Sequence, residues 1–113
     1  MASLSIRIDL APDNRVGPGK IQLLEMIAEH GSISAAGRAL GMSYRRAWML
    51  VEAMNKGFGQ PVVEAQIGGK AGGGAKLSTF GADLVAHYRA IERAAEKAAL
   101  PFLSRLAPGT VQG

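Results

Sequence analysis

Tyr44, Arg45 and Arg46 follow directly on Ser43, at the start of a segment with helical periodicity. A serine hydroxyl accepts a hydrogen bond from the unpaired N–H groups of an opening helical turn, so Ser43 can cap this helix and place both arginines in its first turn. A guanidinium matches guanine O6 and N7 bidentately, and it binds phosphate oxygens equally well. Helices that read a major groove do so mainly through their N-terminal residues. Ser43, Tyr44, Arg45 and Arg46 are therefore the leading candidates for contact with a duplex, with base and phosphate roles left open between the two arginines. Lys56, on the same solvent-facing arc, adds charge.

A second feature is the run Gly68-Gly69-Lys70-Ala71-Gly72-Gly73-Gly74, five glycines in seven residues. It is not a nucleotide-binding P-loop, because Lys70 is followed by Ala71, with no serine or threonine and no helix opening after it. Glycines at a hairpin tip expose backbone N–H groups that can approach phosphates, so Gly69, Lys70, Gly72 and Lys76 join the candidate set, which also takes in Ser34 and Trp48 on either side of the arginine turn. Other chemistry has no support. The sequence holds no cysteine, and His30 and His87 lack companions at metal-ligand spacing. No Ser/His/Asp set or carboxylate pair stands out. The sequence predicts no metal, no cofactor and no enzymatic activity.

The elements that must position these residues follow from periodicity. Residues 3–10 alternate, with Leu4, Ile6, Ile8 and Leu10 on one face, which predicts a half-buried strand. Residues 12–17 read as a loop. Pro18 suits a first helical turn, and Ile21, Leu24, Ile27 and Ala28 carry a helix that closes at Gly31. Ser34 is the candidate cap of a short helix over residues 34–40, ended by Gly41, and a longer helix over 44–56 follows after Met42 and Ser43. So short a turn, with a glycine in it, marks a helix-turn-helix. On the longer helix Ala47, Leu50, Val51 and Met54 share the core arc, while Met49 and Glu52 lie opposite. Trp48 falls at the arc's edge, as a wall of the core or as a backbone contact through its indole N–H; the first is preferred. Residues 62–67 and 75–78 read as strands of a hairpin, the wing. A last helix runs over about 80–100, stopped or kinked by Pro101.

At 113 residues the chain suffices for one domain with a real core, expected over residues 1–106 with a flexible tail over 107–113. No apolar run approaches a membrane span, and the absence of cysteine and of a signal peptide predicts a cytoplasmic protein with no membrane partner. The formal charge of +4 lies wholly in the middle third, where Arg38, Arg45, Arg46, Lys56, Lys70 and Lys76 face only Glu52 and Glu64. Such a patch attracts polyanions. On the last helix Leu84, Tyr88, Ile91, Ala95, Ala98 and Phe102 are spaced 4, 3, 4, 3, 4, a coiled-coil seam that predicts a homodimer. The expected fold is mainly α with a small β-hairpin, a winged helix-turn-helix with a long C-terminal dimerisation helix.

The stretch from Gly31-Ser32-Ile33-Ser34 to Met54-Asn55, the Gly-Gly-Lys-Ala-Gly-Gly-Gly-Ala tip over 68–75 and Leu77-Ser78-Thr79-Phe80-Gly81 resemble the N-terminal DNA-binding domain of the ModE family of molybdate-responsive transcriptional regulators. More distantly they are similar to the LysR-type winged helix-turn-helix. The resemblance covers roughly residues 4–100. It implies a dimeric, sequence-specific regulator of molybdenum-related genes that binds double-stranded DNA. Full-length members of that family continue into Mop-type molybdate-binding domains, and no residues here correspond to that oxyanion site. The expectation is thus a regulator without the molybdate-binding domain, able to pair with a full-length molybdate-sensing relative. The alternative is a winged-helix protein-interaction module that modulates another regulator, against which the basic Arg45/Arg46 turn and the Lys70 wing speak.

Overall fold

The computed structural model describes residues 2–66 and 73–107, in the order β1(Ile8–Ala11), β2(Asn14–Val16), α1(Pro18–His30), α2(Ile33–Ala39), α3(Tyr44–Phe58), β3(Val63–Gln66), β4(Gly74–Leu77) and α4(Thr79–Leu106). This is the expected winged helix-turn-helix with a long last helix, plus a second small antiparallel sheet. The glycine-rich tip at residues 67–72 and residues 108–113 lie outside the described residues.

The main core lies where α1, α2, α3 and the wing meet. Leu23, Leu24 and Ile27 of α1 pack with Ala36, Ala47, Val51 and Met54, and Val62 and Ala75 close the cluster from the wing side. Each large apolar side chain buried this way stabilises the fold by about 1.5–3 kcal/mol. The close crossing of α2 and α3 depends on Gly37, where a Cβ would sit 3.2 Å from the Met42 carbonyl oxygen and 3.3 Å from the Ala47 methyl. The turn between them places Gly41 at φ 70°, the left-handed conformation expected of it. The wing is tied in by its backbone, with the Ala75 N–H donating to the Gly31 carbonyl at 2.8 Å. In the wing Val63 pairs with Leu77, and Glu64 with Lys76.

Three expectations are corrected. The first strand does not cover residues 3–10: β1 spans Ile8–Ala11 and turns back on β2, inside the segment read as a loop. The side chains of Leu4, Ile6 and Ile8 are half-buried while Leu10 is exposed, because a register shift between Asp9 and Ala11 leaves Leu10 without a partner and breaks the alternation before the turn at Pro12 and Asp13. Val16, opposite Ile8, joins Ile21 and Tyr88 in a second, smaller core. Next, α2 is capped by Ser32, whose hydroxyl accepts from the Ala35 N–H at 3.0 Å; Ser34 lies inside the helix and accepts from Arg38 Nη1 at 3.1 Å. Ile33 packs against the core, and the helix starts early enough to carry it there. Finally, α4 passes through Pro101 to Leu106. Proline costs a helix interior roughly 3 kcal/mol through a lost hydrogen bond and a ring clash, but past Tyr88 the helix has no buried residue, so a local adjustment disturbs no core of its own protomer.

Candidate nucleic-acid interface

Ser43 caps α3 as expected, its hydroxyl accepting from the Arg46 N–H at 3.1 Å. That cap fixes the first turn, from which Tyr44, Arg45 and Arg46 all project into solvent. Arg38, Lys56 and Lys76 are exposed too. Among the described residues the ion pairs involve only Arg7, Arg15 and Arg89 as cations, so Arg45, Arg46, Lys56 and Lys76 make none there. Ser34 lies on the rim of a groove of about 390 Å³ between the helix pair and the wing, with Tyr44, Trp48, Val63 and Ala75. Of the wing candidates, Gly69, Lys70 and Gly72 lie outside the described residues, and Lys76 is exposed on β4.

Trp48 is corrected. It stands 46% exposed instead of walling the core. Ala47, Val51 and Met54 fill the space behind α3, and α2 and the wing leave an open groove in front of it. Met49, absent from the candidate set, is 55% exposed on the next face. Met49 and Ala53 line both a concavity holding Arg45 and Arg46 and a wider one of about 840 Å³ holding Trp48, Glu52 and Lys56. The exposed face of α3 is thus one continuous surface, basic at its N-terminal turn and apolar in the middle. Its signal in the sequence was a large apolar residue on the solvent-facing arc.

The seam on α4 divides in two. Leu84 packs against both cores of its own protomer. Tyr88 is corrected as an interface residue: only 2% of it is exposed, and its hydroxyl donates to the Ile6 carbonyl at 2.6 Å. Burial raises the Tyr88 pKa and Glu92 adds to the rise, while Arg89 opposes it. Arg89 bridges α1 and α4, donating to both carboxylate oxygens of Glu25 at 2.6 and 3.0 Å and to Glu92 at 2.7 Å. These hydrogen bonds, Glu25 first, hold the guanidinium above the ordinary arginine range. Beyond this clamp Ile91 is 47% and Phe102 65% exposed, Ala98 is exposed and Ala95 half-buried. Leu106 extends the apolar end.

Among the described residues no helix is long and apolar enough to cross a membrane, and no group of His, Asp or Glu side chains is placed to hold a metal ion. Residues 19–82 match the family of bacterial regulatory helix-turn-helix proteins of the lysR type. The chain is 45% identical over 98 residues to the molybdenum-pterin-binding protein MopA of Rhodobacter capsulatus, covering 87% of this chain and 36% of that protein. It is 51% identical over 83 residues to MopB of the same organism, covering 74% of this chain and 31% of that protein. To the DNA-binding transcriptional dual regulator ModE of Escherichia coli strain K12 it is 39% identical over 98 residues, covering 80% of this chain and 37% of the regulator. The chain therefore spans about a third of the length of these curated relatives. In structure it is similar to the CbnR_DBD-DNA complex, with a TM-score of 0.59 at 21% identity over 79% of this chain and 94% of that one, a likeness of fold. Taken with the capped helix pair and its neighbouring wing, the family match over residues 19–82 shows that this chain belongs to the lysR family of bacterial regulatory helix-turn-helix proteins, and in sequence it is ModE-like.

Proposed function

We propose that the chain is the DNA-contacting part of a sequence-specific, homodimeric transcriptional regulator of the ModE type, acting on molybdenum-related genes. The observation that carries this reading is the first turn of α3: Ser43 fixes it, and Tyr44, Arg45 and Arg46 leave it exposed, with no ion pair among the described residues for either arginine. Phosphate contacts set the register and base contacts set the sequence, and a solvent-facing arginine turn next to a wing serves both. The molybdenum link rests on the similarity to the molybdenum-pterin-binding proteins MopA and MopB and to the regulator ModE.

The test is a salt titration of binding to duplex DNA, run with and without molybdate. Two protomers, each bringing four or five basic side chains, neutralise roughly 6–10 phosphates, so log Kd against log salt has a slope of about 5 to 9 in magnitude. A slope near zero, or no binding at low salt, favours the protein-interaction alternative. An affinity unchanged by molybdate places any oxyanion response outside residues 1–113, and a changed affinity places it within them.

A further inference from the structure

Two neighbouring side chains in the middle of α3, Met49 and Glu52, are ill suited to a phosphate backbone. Trp48 and Met49 are exposed and apolar, and Glu52 beside them is exposed and acidic. A carboxylate set against phosphates is repelled by them. Glu52 is also held in place: Asn55 Nδ2 donates to its Oε1 at 3.4 Å, while Asn55 Oδ1 accepts from the Val62 N–H at 2.8 Å. This strip is nevertheless continuous with the arginine turn, since Met49 shares a concavity with Arg45 and Arg46. Arg45 and Met49 are one turn apart, about 6 Å along the axis. When α3 lies in a major groove with Arg45 on a base edge, Met49 meets neighbouring base pairs and not the backbone. Base edges in that groove present donors and acceptors, and thymine alone adds an apolar group, its C5-methyl. An exposed thioether beside an indole edge matches that methyl and offers nothing to a phosphate.

We propose that Met49, with Trp48 beside it, is a specificity-determining contact that selects thymine through its C5-methyl, within one or two base pairs of the position met by Arg45. The inference rests on the DNA-binding reading above. Burying one methyl group changes affinity by only about 3- to 5-fold, and the flexible methionine side chain adapts to its position. The contact therefore tunes sequence preference without supplying the bulk of the affinity, which is electrostatic.

The test starts from a duplex selected by the intact protein from a random pool. Each thymine of the selected site is then replaced singly by deoxyuridine, which removes the methyl and keeps every hydrogen-bonding group. We expect one thymine per half-site to weaken binding about 3- to 5-fold on this replacement. Met49→Ala should lose a similar factor on the thymine duplex and become indifferent to that one replacement. A flat deoxyuridine profile with the unmodified protein, which requires no variant to fold, overturns the proposal while leaving salt-dependent DNA binding intact. Full retention of the sensitivity by Met49→Ala overturns it as well. Failure of the underlying reading looks different: no duplex is bound in a salt-dependent manner, no site is selected, and both ideas fall.

Discussion

Arg45 and Arg46 share one helical turn and one surface, yet a base contact and a phosphate contact leave different thermodynamic marks. On the DNA-binding reading, an arginine bidentate to guanine loses about 1–3 kcal/mol on substitution by alanine and relaxes preference at one operator position. Lys76, exposed on the wing, should weaken all sequences alike when changed to alanine and reduce the salt slope by about one. Competition titrations with point-substituted duplexes separate the two patterns. If neither arginine substitution alters sequence preference, base reading lies elsewhere on α3. At the same scale Tyr88 makes a prediction about stability. Its pKa is raised, first by burial and then by Glu92, and its hydroxyl is a donor that tyrosinate cannot replace. A phenol that holds its proton more tightly when folded gives its full contribution below the ordinary tyrosine pKa of about 10 and loses it as pH climbs through the higher folded value. Urea melts should therefore show stability falling above pH ~10, and Tyr88→Phe, although less stable at neutral pH, should flatten that fall. What the sequence made legible at this scale were the residues whose role is local: Ser43 as a cap and the exposed turn after it need only their neighbours. Trp48 and Ser34 were not legible. Whether an edge position is covered depends on how α2 and the wing sit against α3, and whether Ser32 or Ser34 caps depends on where Ile33 must pack.

Among the elements, the α2–α3 pair, the wing strands and α1 were foreseen because each has a capping signal, a breaker or a periodicity of its own. The second hairpin strand, Asn14–Val16, was not. Three residues are too few to show alternation, and its stability comes from Val16 packing on Ile21 and Tyr88, a contact with a helix far along the chain. The continuation of α4 beyond Pro101 is not legible for the opposite reason: a local breaker is tolerated where no other element of the same protomer packs. A further constraint between elements lies at Gly81, in the first turn of α4. A Cβ there would overlap the Val62 carbonyl oxygen, and the same corner is fastened by the Ser78 N–H to Val62 carbonyl bond at 3.0 Å and the Ser78 hydroxyl to Pro61 carbonyl bond at 2.7 Å. Backbone cannot yield as a flexible side chain does, so Gly81→Ala should destabilise by about 1–3 kcal/mol. The strain falls on the junction of β3 and α4, so the substitution should also displace the wing. The check is a thermal melt together with hydrogen exchange. A Tm within a degree of the unmodified protein, with unaltered protection at Val63–Gln66, would show that the wing does not depend on this contact.

At the scale of the whole molecule, the dimensions of 52 × 28 × 22 Å describe a small domain with one helix projecting from it. The first three turns of α4 are consumed by the protomer through Leu84, Val85 and Tyr88, and the Arg89 clamp to Glu25 sets the direction in which the rest of the helix leaves. What remains outside is an apolar line through Ile91, Ala95, Ala98 and Phe102, with Leu106 at its end. On our reading this line meets a second copy. The seam read from the sequence thereby moves outward by two residues of its register, losing Leu84 and Tyr88 to the core and keeping the other four. Two-fold symmetry then presents two copies of α3 and fits half-sites about one helical turn of DNA, ~34 Å, or a multiple of it apart. Ile91→Asp places a carboxylate in the middle of that line. A charge left unpaired in a closed interface costs several kcal/mol, whereas in the isolated protomer the position is half open and the change is mild. The variant should therefore scatter light as a single chain at micromolar concentration, melt cooperatively, and lose tight binding to a palindromic operator while keeping weak binding to a half-site. Phe102→Asp, farther along the same line, should act in the same direction. A dimer retained by both variants would move the interface to the first hairpin and α1, and a single-chain mass for the unmodified protein would refute the dimer itself.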